Sequence, residues 1–147
     1  MKKISIHGLF VVAILALSLV ATAAHAQTYS DLYNFGSASG DPLNPAYSGI
    51  VAQGRDGNLY STTPAGGSGG LGTEFKITLR GAVSVLYNFD GTHGKFPYGG
   101  LTLATDGNFY GTTSVGGSTN LGVIFKITPA GTLTVLHTFA SGDGITP

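Results

Sequence analysis

Beyond residue 26 the chain alternates apolar and polar positions with a period of two. Val123, Phe125 and Ile127 share one face while Lys126 takes the other, and Leu133, Val135, His137 and Phe139 alternate with Thr134, Leu136 and Thr138. Alternation of β-branched and aromatic residues predicts strands. The pattern gives strands over 98–104, 108–113, 123–128 and 132–139. Asp106-Gly107 and Pro129-Ala130-Gly131 are the turns between the first and last pairs. An Asp-Gly pair between alternating runs is a strong hairpin signal, because glycine accepts the positive φ such turns require. No window after residue 26 shows helical spacing behind a capping residue.

The same pattern occurs twice. Asp56-Gly57-Asn58-Leu59-Tyr60-Ser61-Thr62-Thr63 returns as Asp106-Gly107-Asn108-Phe109-Tyr110-Gly111-Thr112-Thr113, and Phe75-Lys76-Ile77-Thr78 as Phe125-Lys126-Ile127-Thr128. At an offset of 50, residues 56–89 match 106–139 at 19 of 34 positions. Asp31-Leu32-Tyr33-Asn34-Phe35 is a partial third copy, 54 residues before Phe89; the four extra residues fall in a Gly/Ser/Pro/Asn-rich stretch. Insertions are tolerated in such loops. The organisation read from this is a partial repeat and loop over 27–45, repeat 1 over 46–96, repeat 2 over 97–139, and the start of an incomplete repeat over 140–147.

Residues 1–26 read differently. Lys2 and Lys3 precede an apolar run from Leu9 to Val20, and the segment ends on Ala24-His25-Ala26. These are the parts of a secretory signal peptide cleaved after Ala26. The run is short of the ~20 apolar residues that cross a bilayer. Cleavage would leave 121 residues, which makes one domain the default, with no second hydrophobic span.

Four-stranded antiparallel units repeating at this length are blades of a β-propeller on the repeat-length rules. The expected fold is therefore all-β and propeller-type, with about two blades plus one extra N-terminal strand at 29–35. A small sandwich or an open double sheet is the alternative. A ring closes with ~4–8 blades. The chain is accordingly read as an N-terminal piece of a longer protein or as a part that assembles with others.

Several separated blocks carry a resemblance to a known family. The run 121–139, Gly100-Leu101 and Asp106-Gly107-Asn108-Phe109-Tyr110-Gly111-Thr112-Thr113 resemble the repeat of the choice-of-anchor GloVer (Gloeo/Verruco) tandem-repeat proteins. The likeness covers nearly all the chain after residue 26. It implies an exported bacterial protein of repeat architecture, often carrying many repeats and a C-terminal sorting or anchoring signal. It supplies no catalytic residues. Few repeats and no anchor are seen here, so surface attachment is not carried over.

Composition narrows the function classes. Glycine supplies 24 of 147 residues and charged residues only 10%, against ~7% and ~25% in average domains. Lys and Arg number seven and Asp and Glu seven; after residue 26 the formal charge is −2. That balance excludes the basic footprint of a nucleic-acid binder. Without cysteine there is no disulfide, thiolate metal site or Cys nucleophile.

The titratable residues are spread out rather than gathered. Asp56 and Asp106 have the residue type of a glycosidase pair, which works across ~5–10 Å, but one acid per repeat in the same Asp-Gly turn points to turn chemistry. Asp41, Asp90 and Asp143 follow the Phe35, Phe89 and Phe139 strands with one acid per loop, too few for calcium. His93 lies in a loop, and His137 stands where Tyr87 and Tyr33 stand in the other copies, a packing position. The Thr62-Thr63 and Thr112-Thr113 pairs end strands and satisfy local backbone groups. Gly66-Gly67-Ser68-Gly69-Gly70 lacks the Gly-Lys-Ser/Thr of a phosphate loop and reads as a flexible connection. Tyr47, Tyr60, Tyr98 and Tyr110 have the residue type of a carbohydrate platform, and equally that of a blade core. Asp90, His93, Tyr60 and Tyr110 are thus the ligand-contact candidates, with no catalytic residue, metal or cofactor implied.

The expected function is a secreted, non-enzymatic repeat module with a structural or interaction role at the cell exterior. A propeller-type protein that binds or cleaves polysaccharide, its site in further blades, is the alternative. Expected partners are an extracellular glycan or protein, with self-association through exposed blade edges; nucleic acid and membrane are not expected.

Overall fold

The computed structural model describes residues 28–45, 51–144 and 147. The signal peptide expected over 1–26 and Tyr47 lie outside the described residues. Asp31–Pro147 form one compact unit and Met1–Ser30 belong to another, of which only residues 28–30 are described, without regular structure.

Among the described residues all the regular elements are strands. In chain order they are β1 (Pro42–Leu43), β2 (Ala52–Gln53), β3 (Leu59–Thr63), β4 (Ala65–Gly66), β5 (Thr73–Ile77), β6 (Val83–Asn88), β7 (Thr102–Leu103), β8 (Phe109–Thr113), β9 (Val123–Ile127) and β10 (Leu133–Thr138). Two four-stranded antiparallel sheets result, in the orders β2-β3-β5-β6 and β7-β8-β9-β10, and β1 pairs with β4 as a small separate ladder. Their registers match at the 50-residue offset: Tyr60 faces Lys76 as Tyr110 faces Lys126. Both fourth strands carry a bulge, at Leu86 and at Leu136, where the pairing with the third strand shifts by one.

Sequence chemistry accounts for the local structure. Gly57 and Gly107, in the Asp-Gly turns, have φ of 79° and 82°, a region glycine enters without a Cβ penalty. Asp56 closes its turn by accepting from the Asn58 backbone N–H at 3.2 Å, the Asn58 amide at 2.6 Å and the Tyr60 hydroxyl at 2.8 Å. Asp106 does the same with Asn108 at 3.0 and 2.7 Å and Tyr110 at 2.9 Å. The repeated Asp-Gly-Asn-x-Tyr string is therefore one hydrogen-bonded clamp, used twice.

The core lies between the sheets. Tyr60, Leu86, Tyr87 and Phe89 of the first meet Leu101, Phe109, Phe125 and Val135 of the second. Phe89 meets Phe125 edge to face at 5.4 Å between centroids, and Tyr60 lies over Phe109 at 4.3 Å. Such pairs add ~0.5–1.5 kcal/mol each to the area they bury.

Two expectations change. The strand expected at 29–35 does not form: residues 31–35 lie on the far face of the first sheet, where Phe35 meets the Phe75 side chain, rather than along the open edge of a ladder. Their contacts nevertheless copy those of a fourth strand. Phe35 meets Phe75 edge to face at 5.3 Å, as Phe89 meets Phe125, and Tyr33 stacks on Phe35 as Tyr87 does on Phe89. Gly66, read as part of a flexible connection, pairs with Pro42 in the β1–β4 ladder. Its amide and that of Gly67 lie beside the Asp41 loop, and Gly67 N–H donates to the Asp41 carbonyl at 3.1 Å.

Candidate functional site

The loop that follows β6 forms one wall of an open cleft of about 620 Å³. Asp90, His93 and Lys95 line that wall, facing Gly117 and Ser118 of the second repeat, with Val135 and Thr138 of β10 beneath. The loop is self-capped. Asp90 accepts from the His93 backbone N–H at 2.8 Å, and His93 Nδ1 lies 2.8 Å from Asp90 Oδ2. Partial burial pushes the Asp90 carboxyl upward, but the His93 backbone and ring outweigh it and hold the group below its ordinary value. Lys95 Nζ stands 5.8 Å from the centre of the Phe96 ring, a cation–π distance. The cleft thus offers one carboxylate, one imidazole and one ammonium on a loop anchored by the Lys95 N–H to the Val115 carbonyl at 2.9 Å.

Of the four sequence-derived contact candidates, this cleft brings together Asp90 and His93 and neither tyrosine. Tyr60 is 1% exposed, and both its ring and its hydroxyl are used within the protein, which leaves no face for a ligand. Tyr110 is half-buried, its hydroxyl held by Asp106. Tyr98 is half exposed, away from the cleft lining.

Several other polar groups make local bonds. His137 stacks on Phe139 at 5.1 Å with the rings nearly perpendicular, the aromatic role its repeat position suggested, and its Nε2 lies 3.1 Å from Asp143. Asp41 accepts from Tyr33 at 2.7 Å and from the Ala38 N–H at 2.9 Å; the Tyr33 bond, more than any other contact, lowers its pKa. Thr63 and Thr113 donate to the Ala65 and Val115 carbonyls, the local bonds expected of them. Thr62 instead crosses to the second repeat and donates to the Gly99 carbonyl at 2.8 Å. Among the described residues no three of His, Cys, Asp or Glu are grouped as metal ligands. Nor, among them, is any helix long and apolar enough to cross a membrane.

One residue escaped the sequence reading. Glu74 is fully buried on β5, both carboxylate oxygens are without a hydrogen-bond partner, and burial pushes its pKa up to about 8, with Lys76 only partly opposing. The copy-to-copy comparison carried the signal, since the equivalent residue of repeat 2 is Ile124. A carboxyl at a position that is apolar in its twin sits where the sheets pack on each other.

Fold and site together define an all-β tandem-repeat protein whose two four-stranded sheets repeat one set of strand pairings at an offset of 50 residues. A family model described as the Gloeobacter/Verrucomicrobia repeat matches residues 18–147, and the chain belongs to that family. No curated protein matches the chain.

Proposed function

We propose that this protein is an exported repeat module with a structural or interaction role at the cell exterior, its sheets arranged as blades of propeller type. The observation that carries the reading is the repetition of one aromatic contact: Phe35 of the N-terminal segment on Phe75, and Phe89 on Phe125 between the two sheets, at 5.3 and 5.4 Å. Units that bury their faces only against equivalent units are built to stack. The commitment of Asp56, Asp106 and Asp41 to their own turns supports a non-enzymatic role. Export rests on the leader pattern of Lys2, Lys3, the apolar run and Ala24-His25-Ala26.

Fractionation of cells making the protein tests this. The expected product lies outside the cytoplasm and begins at Gln27. An intact Met1 terminus in the cytoplasm would overturn the reading.

The second reading, binding of polysaccharide, is favoured by the cleft that holds Asp90 and His93. A glycan array with the purified protein, repeated with Asp90→Ala, separates the two. Retention of a glycan that is lost in the variant supports the second reading, and no retention supports the first.

A further inference from the structure

The outer faces of the two sheets provide the argument. The face of the first sheet that meets the second carries Tyr60, Thr62, Glu74 and Leu86; the same face of the second sheet carries Tyr110, Thr112, Ile124 and Leu136. Thr62 and Glu74 are fully buried, whereas Thr112 and Ile124 are half-buried and Leu136 is 50% exposed. The second sheet therefore presents a surface already known in this molecule as one half of an interface.

The other half is also present. The opposite face of the first sheet matches the face by which the second sheet receives the first, with Val51 for Leu101, Leu59 for Phe109 and Phe75 for Phe125. It is covered only in part. Phe75 and Ile77 are buried, with Phe35 against Phe75, but Val51 is 50% exposed where Leu101 is 4%. The cover mimics the neighbour it replaces. The Leu32 carbonyl crowds Gly81 as the Leu86 carbonyl crowds Gly131, in each case where a Cβ would collide.

We propose that residues 31–43 are an exchangeable plug, and that a second copy of this chain docks the outer face of its second sheet onto the first sheet, its Leu136 and Phe139 taking the places that Leu32 and Phe35 hold within the single chain. Resting on the stacking read above, the proposal adds the partner and the segment that controls access to it. The plug and the incoming β10 compete for the space over Gly81, so intramolecular cover opposes assembly. The contact is head to tail and leaves both ends available, which gives rings or open chains of copies.

The test is the size of the purified full chain by light scattering and sedimentation over a wide concentration range. Leu32→Ser with Phe35→Ser loosens the plug, and this variant is expected to shift from the mass of one chain to multiples that grow with concentration. Adding Leu136→Asp, at an exposed position, should return it to one chain. A folded plug variant that stays monomeric, or assembly that survives Leu136→Asp, overturns the proposal. If the plug variant loses its β-sheet signal, a cysteine pair decides in the otherwise unaltered chain, which has no cysteine of its own. Leu136→Cys with Ala82→Cys should then form intermolecular disulfides as plugs exchange, and failure to form them overturns the proposal. Neither export nor glycan binding enters these measurements, so their failure leaves the module reading standing.

Discussion

Tyr60 and Tyr110 hold the same place in two copies of one clamp, each donating to the aspartate of its own turn, and differ in what lies over them. The face around Tyr60 is sealed by the second sheet, with Thr62 bonded across to Gly99 and Glu74 held out of water. The face around Tyr110 repeats the strand register and leaves Leu136 half exposed. Equal local chemistry thus gives unequal burial, because the neighbour sets the burial and the segment itself only the direction in which side chains point.

The largest expected effect lies at Glu74. Its folded pKa of about 8 stands above the ordinary carboxyl value of 4.5. An acid raised on folding is protonated in both states at low pH, so its full stability is present below the unfolded value. As pH rises the unfolded chain releases the proton first, and stability falls until the folded group also ionises near pH 8. Across that window the loss is on the order of a few kcal/mol. Denaturant unfolding at pH 4, 6 and 8, values that bracket the interval, should show this decline in the native chain. Glu74→Ile, which copies the residue of the second repeat, should flatten it and raise stability at the alkaline end. A native profile that does not fall would show that the carboxyl is solvated in solution.

The second contrast concerns the ends of the fourth strands. Phe89 is fully buried against Phe125, and Phe139 is half-buried. Phe89→Ala should cost about 3–5 kcal/mol. Phe139→Ala should cost roughly a third of that, since less apolar area is withdrawn from water. Equal losses by thermal and denaturant unfolding would mean that Phe139 is covered in solution.

The smallest effect should also be the most symmetrical. The clamps of Asp56 and Asp106 use the same donors, and both carboxyls lie below their ordinary range. Burial opposes the Asn58 and Tyr60 bonds at Asp56, and the Asn108 side chain leads at Asp106. Their contribution is complete above the ordinary aspartate value and is lost as pH falls through the lowered one. Asp56→Asn and Asp106→Asn should therefore cause similar small drops in thermal midpoint at neutral pH that vanish in acid. A difference between them would show that the second sheet, lying over Tyr60 alone, feeds back on the turn.

The same contrast separates what could be read from the sequence from what could not. The four strands of each repeat and the turn role of Asp56 and Asp106 follow from alternation and from Asp-Gly-Asn-x-Tyr, because those residues satisfy one another within a few positions, although the first strand, read over 98–104, is only Thr102–Leu103. His137 as a packing aromatic followed from its alignment with Tyr87. The loop of Asp90 and His93 was recognisable, but its facing wall of Gly117 and Ser118 comes from sheet stacking, which no local pattern encodes. Tyr60 and Tyr110 were indistinguishable as ligand candidates, since their motif is identical and only the neighbour differs. Residues 31–35 carried the string of a fourth strand, and the structure gives them its side-chain contacts without its ladder. Backbone pairing needs a partner edge, which the face of a sheet does not provide.

The Asp–Asn–Tyr clamp also bears on the order in which the molecule takes shape. Its bonds join residues two and four apart in the chain, so each turn can close as soon as its own hairpin forms, in about 1–10 µs. The Phe89–Phe125 contact must bring together distant parts of the chain, which is slower. Each unit therefore sets its register before it meets its neighbour, and a newly made unit reaches that neighbour as a finished sheet.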